Sequence, residues 1–229
     1  MNKYTTILFD ADDTLFDFKR SEHEAVKDVL SLVGLPETNE IIEKYSEINK
    51  GYWKMLERGE ITKKDLFIAR WKTFLDFYGL TDSDAEMIAK HYLTSLSQKC
   101  YLLDGAEELC QKLYGNFRLY IVTNGYAIVQ HGRFDKSPIR KYFEDMFISE
   151  EMGAEKPSRE YFDAVFSKIP DFDKNQAIII GDSLSSDIKG GINSGIDTCW
   201  YNPKGAHAPE DLSITYTVSK LSEIEDIVF

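Results

Sequence analysis

The stretch that decides the fold is Tyr4-Thr5-Thr6-Ile7-Leu8-Phe9-Asp10-Ala11-Asp12-Asp13-Thr14-Leu15. From Tyr4 to Phe9 it is a largely apolar run with the pattern of a strand buried on both faces, as in a parallel sheet. It then stops abruptly at Asp10, Asp12 and Asp13, three carboxylates in four positions. Open α/β sheets bind ligands beyond the carboxyl ends of their strands, so a site is expected here. In extended chain Asp10 and Asp12 project to one face. Two carboxylates that close repel unless one is protonated or a cation lies between them, and a hard, oxygen-seeking ion such as Mg²⁺ is the simplest answer. Taken alone, an Asp cluster after a strand is equally a loop or a helix cap.

Outward from this strand, roughly eighty residues read as helix: 19–33, 38–57, 62–78 and 83–97. Thr62 and Thr81 have the look of N-caps, and Gly34 and Gly79 of C-terminal stops. Ile48, Tyr52, Met55 and Leu56 recur near helical spacing, as do Phe67, Trp71, Phe74 and Tyr78, so Trp53 and Trp71 are expected in a core. From Tyr101 onward helix and strand alternate: helix 106–114, strand 117–122, helix 127–134, strand 146–149, helix 158–168, strand 177–180, helix to 193 and strand 198–201. An edge strand at 215–218 and a closing helix at 219–228 complete the pattern. Such alternation predicts a parallel, doubly wound α/β sheet. The expected organisation is a core of residues 1–17 and 98–229 with an all-helical cap, 18–97, inserted after the first strand.

Composition narrows the function. The 229 residues are 43% hydrophobic, enough for a sizeable core, and no run reaches the ~18 apolar residues of a membrane span. The start leads straight into a strand, leaving no room for a secretory leader. Cys100, Cys110 and Cys199 are odd in number and lack metal-type spacing, as expected of reduced thiols in a cytoplasmic protein. A net charge of −12 argues against nucleic-acid polymers and anionic membranes as partners. A small phosphorylated substrate is compatible with it, because a metal and a lysine can meet its charge locally.

Three further strand ends carry suitable groups. Thr123-Asn124-Gly125 offers a hydroxyl and backbone N–H groups to phosphate oxygens, although such a turn is also ordinary loop chemistry. In Glu155-Lys156-Pro157 the proline biases Lys156 to extended geometry and marks the next helix start, which would hold an ammonium beside a helix N-terminus. Gly181-Asp182-Ser183-Leu184-Ser185-Ser186-Asp187 delivers Asp182 at a strand end, with Asp187 in the following helix; capping by Asp182 and Ser183 is the alternative.

Four motifs in this order, DxDxT, TNG, KP and GDxxxxD, resemble the haloacid dehalogenase-like hydrolase superfamily over essentially the whole chain, inserted helical cap included. The resemblance implies a Rossmann-like core and a Mg²⁺-dependent phosphomonoester hydrolase. Asp10 would attack phosphorus and form an aspartyl-phosphate, and Asp12 would protonate the leaving alkoxide and then activate water. Mg²⁺ would be held by the Asp10 carboxylate, the Asp12 backbone carbonyl and Asp182, with Asp187 orienting metal-bound water. Thr123, Asn124 and Lys156 would hold the phosphate, Lys156 also offsetting carboxylate repulsion. Where the superfamily most often has glycine this chain has Asp13, whose side chain is expected to point away. Asp12 favours phosphomonoesters over the haloacid and phosphonate branches, which lack this second carboxylate or do not need it.

Thr123-Asn124-Gly125, together with Gly195-Ile196-Asp197-Thr198-Cys199-Trp200-Tyr201-Asn202-Pro203, looks like the bacterial pyrimidine 5′-nucleotidase branch. That implies a nucleoside monophosphate such as dUMP, dTMP or UMP, its base under the cap. Phe16, Phe18 and Lys19 are expected as core or hinge, Trp200 and Tyr201 as packing, and His131 and Arg133 as surface residues. A sugar-phosphate phosphatase or mutase would keep the same motifs. A binding module without turnover would be expected to lose Asp10, Asp12 or Asp182, and none is lost.

Overall fold

The apolar run forms the expected central strand, β1 (Thr6–Phe9), in a computed structural model that describes residues 2–229. Four helices follow at once: α1 (Phe18–Val33), α2 (Asn39–Glu57), α3 (Lys63–Phe77) and α4 (Ala85–Leu96). The chain then alternates through α5 (Ala106–Leu113), β2 (Arg118–Thr123), α6 (Ala127–Phe134), β3 (Asp145–Ile148), α7 (Ser149–Met152), α8 (Arg159–Lys168) and β4 (Ala177–Gly181). A π-helical turn, Leu184–Ile188, runs into α9 (Lys189–Ser194), and β5 (Asp197–Tyr201), β6 (Tyr216–Val218) and α10 (Ile224–Val228) close the fold.

All six strands are parallel, in the order β3-β2-β1-β4-β5-β6. Successive residues of a strand face opposite sides of the sheet. Ile7 and Phe9 of β1 and Ile178 and Ile180 of β4 therefore pack with α5 and α10 on one side. Leu8 and Ile179 pack with Tyr161, Phe162 and Val165 of α8 on the other. Burial on both faces is what the unbroken apolar runs signalled. The strand order reverses between β1 and β4, where a doubly wound sheet opens a crevice at its carboxyl edge.

Helices α1 to α4 gather round a third hydrophobic cluster. Ala25, Val26, Val29 and Leu30 form its α1 stripe, and Tyr45 stacks on Trp71 with ring centroids 4.1 Å apart. Thr62 caps α3 with a full capping box, and Gly34 ends α1 in left-handed geometry, both as expected. The cap of α4 is Asp84, not Thr81: its carboxylate accepts from the N–H groups of Glu86 and Met87, after a turn closed by Ser83 N–H on Leu80 O. In Thr81-Asp82-Ser83-Asp84 every residue is a competent cap, so composition alone could not choose. The expected helix at 219–228 is a 3₁₀ turn, Leu221–Glu223, leading into the shorter α10. No helix among the described residues is long and apolar enough to cross a membrane.

Candidate active site

At the end of β1, Asp10 stays in sheet register, its N–H on Ile180 O at 2.9 Å. The chain then folds back, with the N–H groups of Leu15 and Phe16 both on Ala11 O. This reversal puts Asp13 at φ 59°, a left-handed conformation that glycine enters freely and aspartate tolerates. The steric demand accounts for glycine as the usual residue and for Asp as its replacement. The Asp13 side chain does not turn away. It lines both the cavity at the end of β1 and a neighbouring one, and burial and Asp12 push its carboxyl up against the pull of Lys19 and Lys204.

Asp10, Asp12, Thr123, Asn124, Lys156, Asp182 and Asp187, drawn from four separate loops, line one cavity of about 250 Å³. At its floor Lys156 is 2% exposed. Its ammonium donates to Asp10 Oδ1 at 2.6 Å, Asp187 Oδ1 at 2.7 Å and Val122 O at 2.7 Å, which uses all three protons. Burial alone would lower the lysine's pKa, but Asp10 and Asp187 hold it above its ordinary range. Helix α8 begins at Arg159 with Ser158 as its N-cap, just after Pro157 as expected, while the Lys156 ammonium is directed at the carboxylates. Thr14 ties two loops together, donating to Asp10 Oδ2 at 3.3 Å and accepting from Asp182 N–H at 3.1 Å.

Carboxylate oxygens of Asp10, Asp182 and Asp187 lie within 4.8 Å of one another. Burial, with repulsion from Asp187, pushes Asp10 up to about 7 despite Lys156. Burial, with repulsion from Asp10 and Asp187, pushes Asp182 up to about 8. Three carboxylates against one ammonium leave negative charge unmet, and an all-oxygen donor set of this kind suits a hard divalent cation.

Asp187 is held by Ser183 N–H at 3.0 Å as well as by Lys156, and it leaves no room at Gly181, where a Cβ would fall 2.3 Å from Asp187 Oδ2. Gly181→Ala is therefore expected to push Asp187 off Lys156. If Asp187 orients the ligands of a bound cation, its displacement costs roughly 10–100-fold in metal affinity or activity. Turnover measured across a Mg²⁺ titration reads this directly, and an unaltered midpoint and rate would show that Asp187 is dispensable.

Asn124 clamps two loops together: its amide donates to Lys156 O at 2.8 Å and accepts from Lys156 N–H at 2.9 Å. The side chain is thus spent on structure. Thr123 accepts from Gly125 N–H at 3.0 Å, which leaves its own hydroxyl proton free to donate.

Asp12 has two partners that the sequence did not disclose. One carboxylate oxygen accepts from Gln130 Nε2 at 2.8 Å and the other from the Arg133 guanidinium. Arg133, expected at the surface, is fully buried, whereas His131 beside it is half exposed and meets Glu151 at 2.7 Å. The signal was in the spacing: Val129, Gln130, Arg133 and Phe134 make one buried stripe of α6. Gly125 belongs to the same arrangement, since a Cβ there would collide with Gln130 on its way to Asp12.

Helical residues 18–57 close the other side. Phe18, Trp53 and Glu57 line the cavity, and Glu57 accepts from Ser185 Oγ at 2.8 Å. Trp71 is core as expected, but Trp53 is only half-buried and faces the cavity. Lys63 at the start of α3 reaches across to Gly125 O at 3.2 Å and Ser149 Oγ at 2.9 Å. Phe16 is core, and Trp200 packs while its indole donates to Asp182 O at 2.9 Å.

Residues 7–201 match the model of the haloacid dehalogenase-like hydrolases. The chain is 39% identical over 228 residues to YfnB of Bacillus subtilis, a HAD-hydrolase by name, covering 100% of this chain and 97% of that protein. A crystal structure of YfnB bound to magnesium superposes with a TM-score of 0.94 over 98% of each chain. The pyrimidine 5′-nucleotidase PynA of Streptococcus pneumoniae is 34% identical over 224 residues, 97% of this chain and 94% of PynA. The pyrimidine 5′-nucleotidase YjjG of Escherichia coli is 31% identical over 226 residues, 99% of this chain and 98% of YjjG.

Proposed function

The chain belongs to the haloacid dehalogenase-like hydrolase family, and from that premise we propose that it is a Mg²⁺-dependent phosphomonoester hydrolase acting on pyrimidine nucleoside 5′-monophosphates through an aspartyl-phosphate. The observation that carries the chemistry is Asp10, fixed by Lys156 and Thr14 at the sheet's switch point with Asp182 and Asp187 within 4.8 Å. The substrate class rests on full-length likeness to PynA and YjjG.

In this reading one Asp10 oxygen forms the new bond to phosphorus as the ester oxygen leaves. Asp12 gives that oxygen its proton and then takes one from the water that attacks phosphorus, as the Asp10 oxygen–phosphorus bond breaks and phosphate and the free carboxylate are released. To do so Asp12 must release at least one of its bonds from Gln130 and Arg133. The Thr123 hydroxyl donates to a phosphate oxygen, and Asn124 keeps the loops of Thr123 and Lys156 in register. Asp10, Asp182 and the Asp12 carbonyl would hold Mg²⁺, with Asp187 behind them. Bound there, the ion supplies charge neutralisation on the phosphate.

The raised carboxylates give a test of metal binding that needs no turnover. Asp10 and Asp182 titrate near 7 and 8 in the fold against 3.8 in open chain. The folded state therefore holds protons that the unfolded chain has lost, and this contribution to stability falls as pH rises through that window. A divalent cation among the ionised oxygens offsets the loss. Mg²⁺ is expected to raise the melting temperature more at pH 8 than at pH 6, and Asp182→Asn to flatten that difference. A Mg²⁺ effect that ignores pH would count against the assigned ligands.

Phosphate release should be screened over nucleoside monophosphates and sugar phosphates, with Mg²⁺ and with chelator. Mg²⁺-dependent release strongest with UMP, dUMP or dTMP supports the reading. Release confined to sugar phosphates retains the chemistry and removes the substrate class.

A further inference from the structure

Between α6 and the helices α3 and α4 lies a second, smaller space of about 30 Å³. It shares Asp12, Phe18, Trp53 and Gly125 with the catalytic cavity, so the two adjoin. Its far wall is made by Arg70, Tyr92 and Tyr126.

Arg70 is 1% exposed, an unusual place for a guanidinium. One of its nitrogens is committed: Nη1 donates to Asn49 Oδ1 at 2.8 Å. Asn49 in turn donates to Glu22 Oε1 at 2.6 Å, and Ser46 donates to the other Glu22 oxygen at 2.6 Å. This relay fixes the side chain and places a counter-charge behind it. The guanidinium carbon stands 5.2 Å from the Tyr92 ring and 5.4 Å from the Tyr126 ring. Arg70 Nε and Nη2 have no hydrogen-bond partner, nor has the Tyr92 hydroxyl. Buried donors are almost always paired, and those of a cation most of all. An anchored arginine with bare donors beside a cavity that adjoins the phosphate site has the form of an acceptor-binding pocket.

We propose that Arg70, with Tyr92, is a specificity-determining residue that donates hydrogen bonds to a ring carbonyl of the substrate's pyrimidine base; this rests on the nucleotidase reading above. In the reading above the phosphate meets Asp10 and Thr123, and Phe18 and Trp53 form the aromatic wall of the same cavity. The smaller space behind that wall has room for about one oxygen-sized group. It admits the carbonyl edge of a six-membered ring and excludes a second fused ring. A carbonyl oxygen is an acceptor without charge, so it satisfies Arg70 while the phosphate stays at Asp10.

The test compares uridine 5′-monophosphate, the nucleotide of pyrimidin-2-one, which lacks the far ring carbonyl, and ribose 5-phosphate. The wild-type enzyme is expected to lose roughly 100-fold in kcat/KM on removal of that carbonyl, chiefly through KM. Arg70→Met is expected to lose a similar factor on uridine 5′-monophosphate, to become indifferent to the carbonyl, and to lose much less on ribose 5-phosphate. That missing discrimination is a coupling a purely structural arginine would not show. Should Arg70→Met fail to fold, Arg70→Lys, which keeps a charge opposite Glu22, and Tyr92→Phe take its place. Equal losses on all three substrates, or a wild-type enzyme blind to the carbonyl, overturn the proposal and leave the space to a buried water. A wild-type enzyme that cleaves ribose 5-phosphate and no nucleotide instead overturns the nucleotidase reading, and this inference with it.

Discussion

Asp10→Asn is expected to abolish phosphate release, lowering kcat by a factor on the order of 10⁴ or more, as removal of a covalent nucleophile does. No neighbour can substitute. Asp182 and Asp187 belong to the loop and turn after β4, and Asp12 is drawn towards Gln130 and Arg133 of α6. The amide nearly matches the carboxylate in shape, so its oxygen can still accept from Lys156 and the packing round β1 is kept. What disappears is a buried charge whose pKa burial and Asp187 push up to about 7. Stability in metal-free buffer at pH 8 should therefore hold or rise even as activity vanishes, since the fold no longer has to keep that carboxylate ionised. Single-turnover assays and thermal melts on one preparation separate the two readouts. Near-normal turnover by Asp10→Asn would remove the covalent route. A fall in metal-free stability matching the fall in rate would mean that the carboxylate is chiefly structural.

Which residues the sequence could and could not disclose follows from how each is held. Asp10 and Asp182 were legible because each ends a run too apolar to be anything but a buried strand: Ile7-Leu8-Phe9 and Ile178-Ile179-Ile180. A parallel sheet then brings such ends together without further information. Arg133 was misjudged because a charged residue in a short helix defaults to solvent, and only its register with Val129, Gln130 and Phe134 says otherwise. Its partner, Asp12, lies 121 residues away in sequence, so no local pattern could join them. Lys156 and its place among the carboxylates follow from the motif, but no local pattern discloses that its three acceptors come from β1, β2 and the turn after β4. Trp53 and Trp71 both lie in helical segments, yet Trp53 lines the cavity at the edge of the bundle's core while Trp71 stands inside that core. Periodicity finds the buried stripe of a helix but not what lies opposite its edge. Asp13 is the reverse case, since its departure from glycine was visible and only the backbone, at φ 59°, explains why glycine is usual there.

Replacing Lys156 is expected to damage stability and activity together, in contrast to Asp10→Asn. Lys156→Met keeps much of the stem's volume and removes the ammonium. The Asp10 and Asp187 oxygens that met at Nζ, at 2.6 and 2.7 Å, would then face each other unopposed at the buried floor of the cavity, and Val122 O would lose its donor. Breaking a buried ion pair by removing one partner costs about 3–5 kcal/mol, which in a chain of this size lowers the melting temperature by about 10 °C. Because Lys156 has its pKa raised, its own contribution is fully present up to about pH 10, the ordinary lysine value, and does not titrate in the working range. The pH dependence of the defect comes from the carboxylates: it should deepen from pH 6 to pH 8 as Asp10 and Asp182 ionise, and Mg²⁺ should restore part of it by supplying positive charge to the same oxygens. Activity should not return with the stability, since the ion cannot stand at the floor of the cavity where Nζ spans β1, β2 and the turn after β4. Lys156→Arg is expected to rescue neither, because a planar guanidinium does not fit a pocket built round three acceptors converging on a single atom. Should Lys156→Met melt like the wild type in chelator at pH 8, the carboxylate cluster would not depend on this lysine, and the account of Asp10 as a carboxylate held ready by a buried cation would have to be given up.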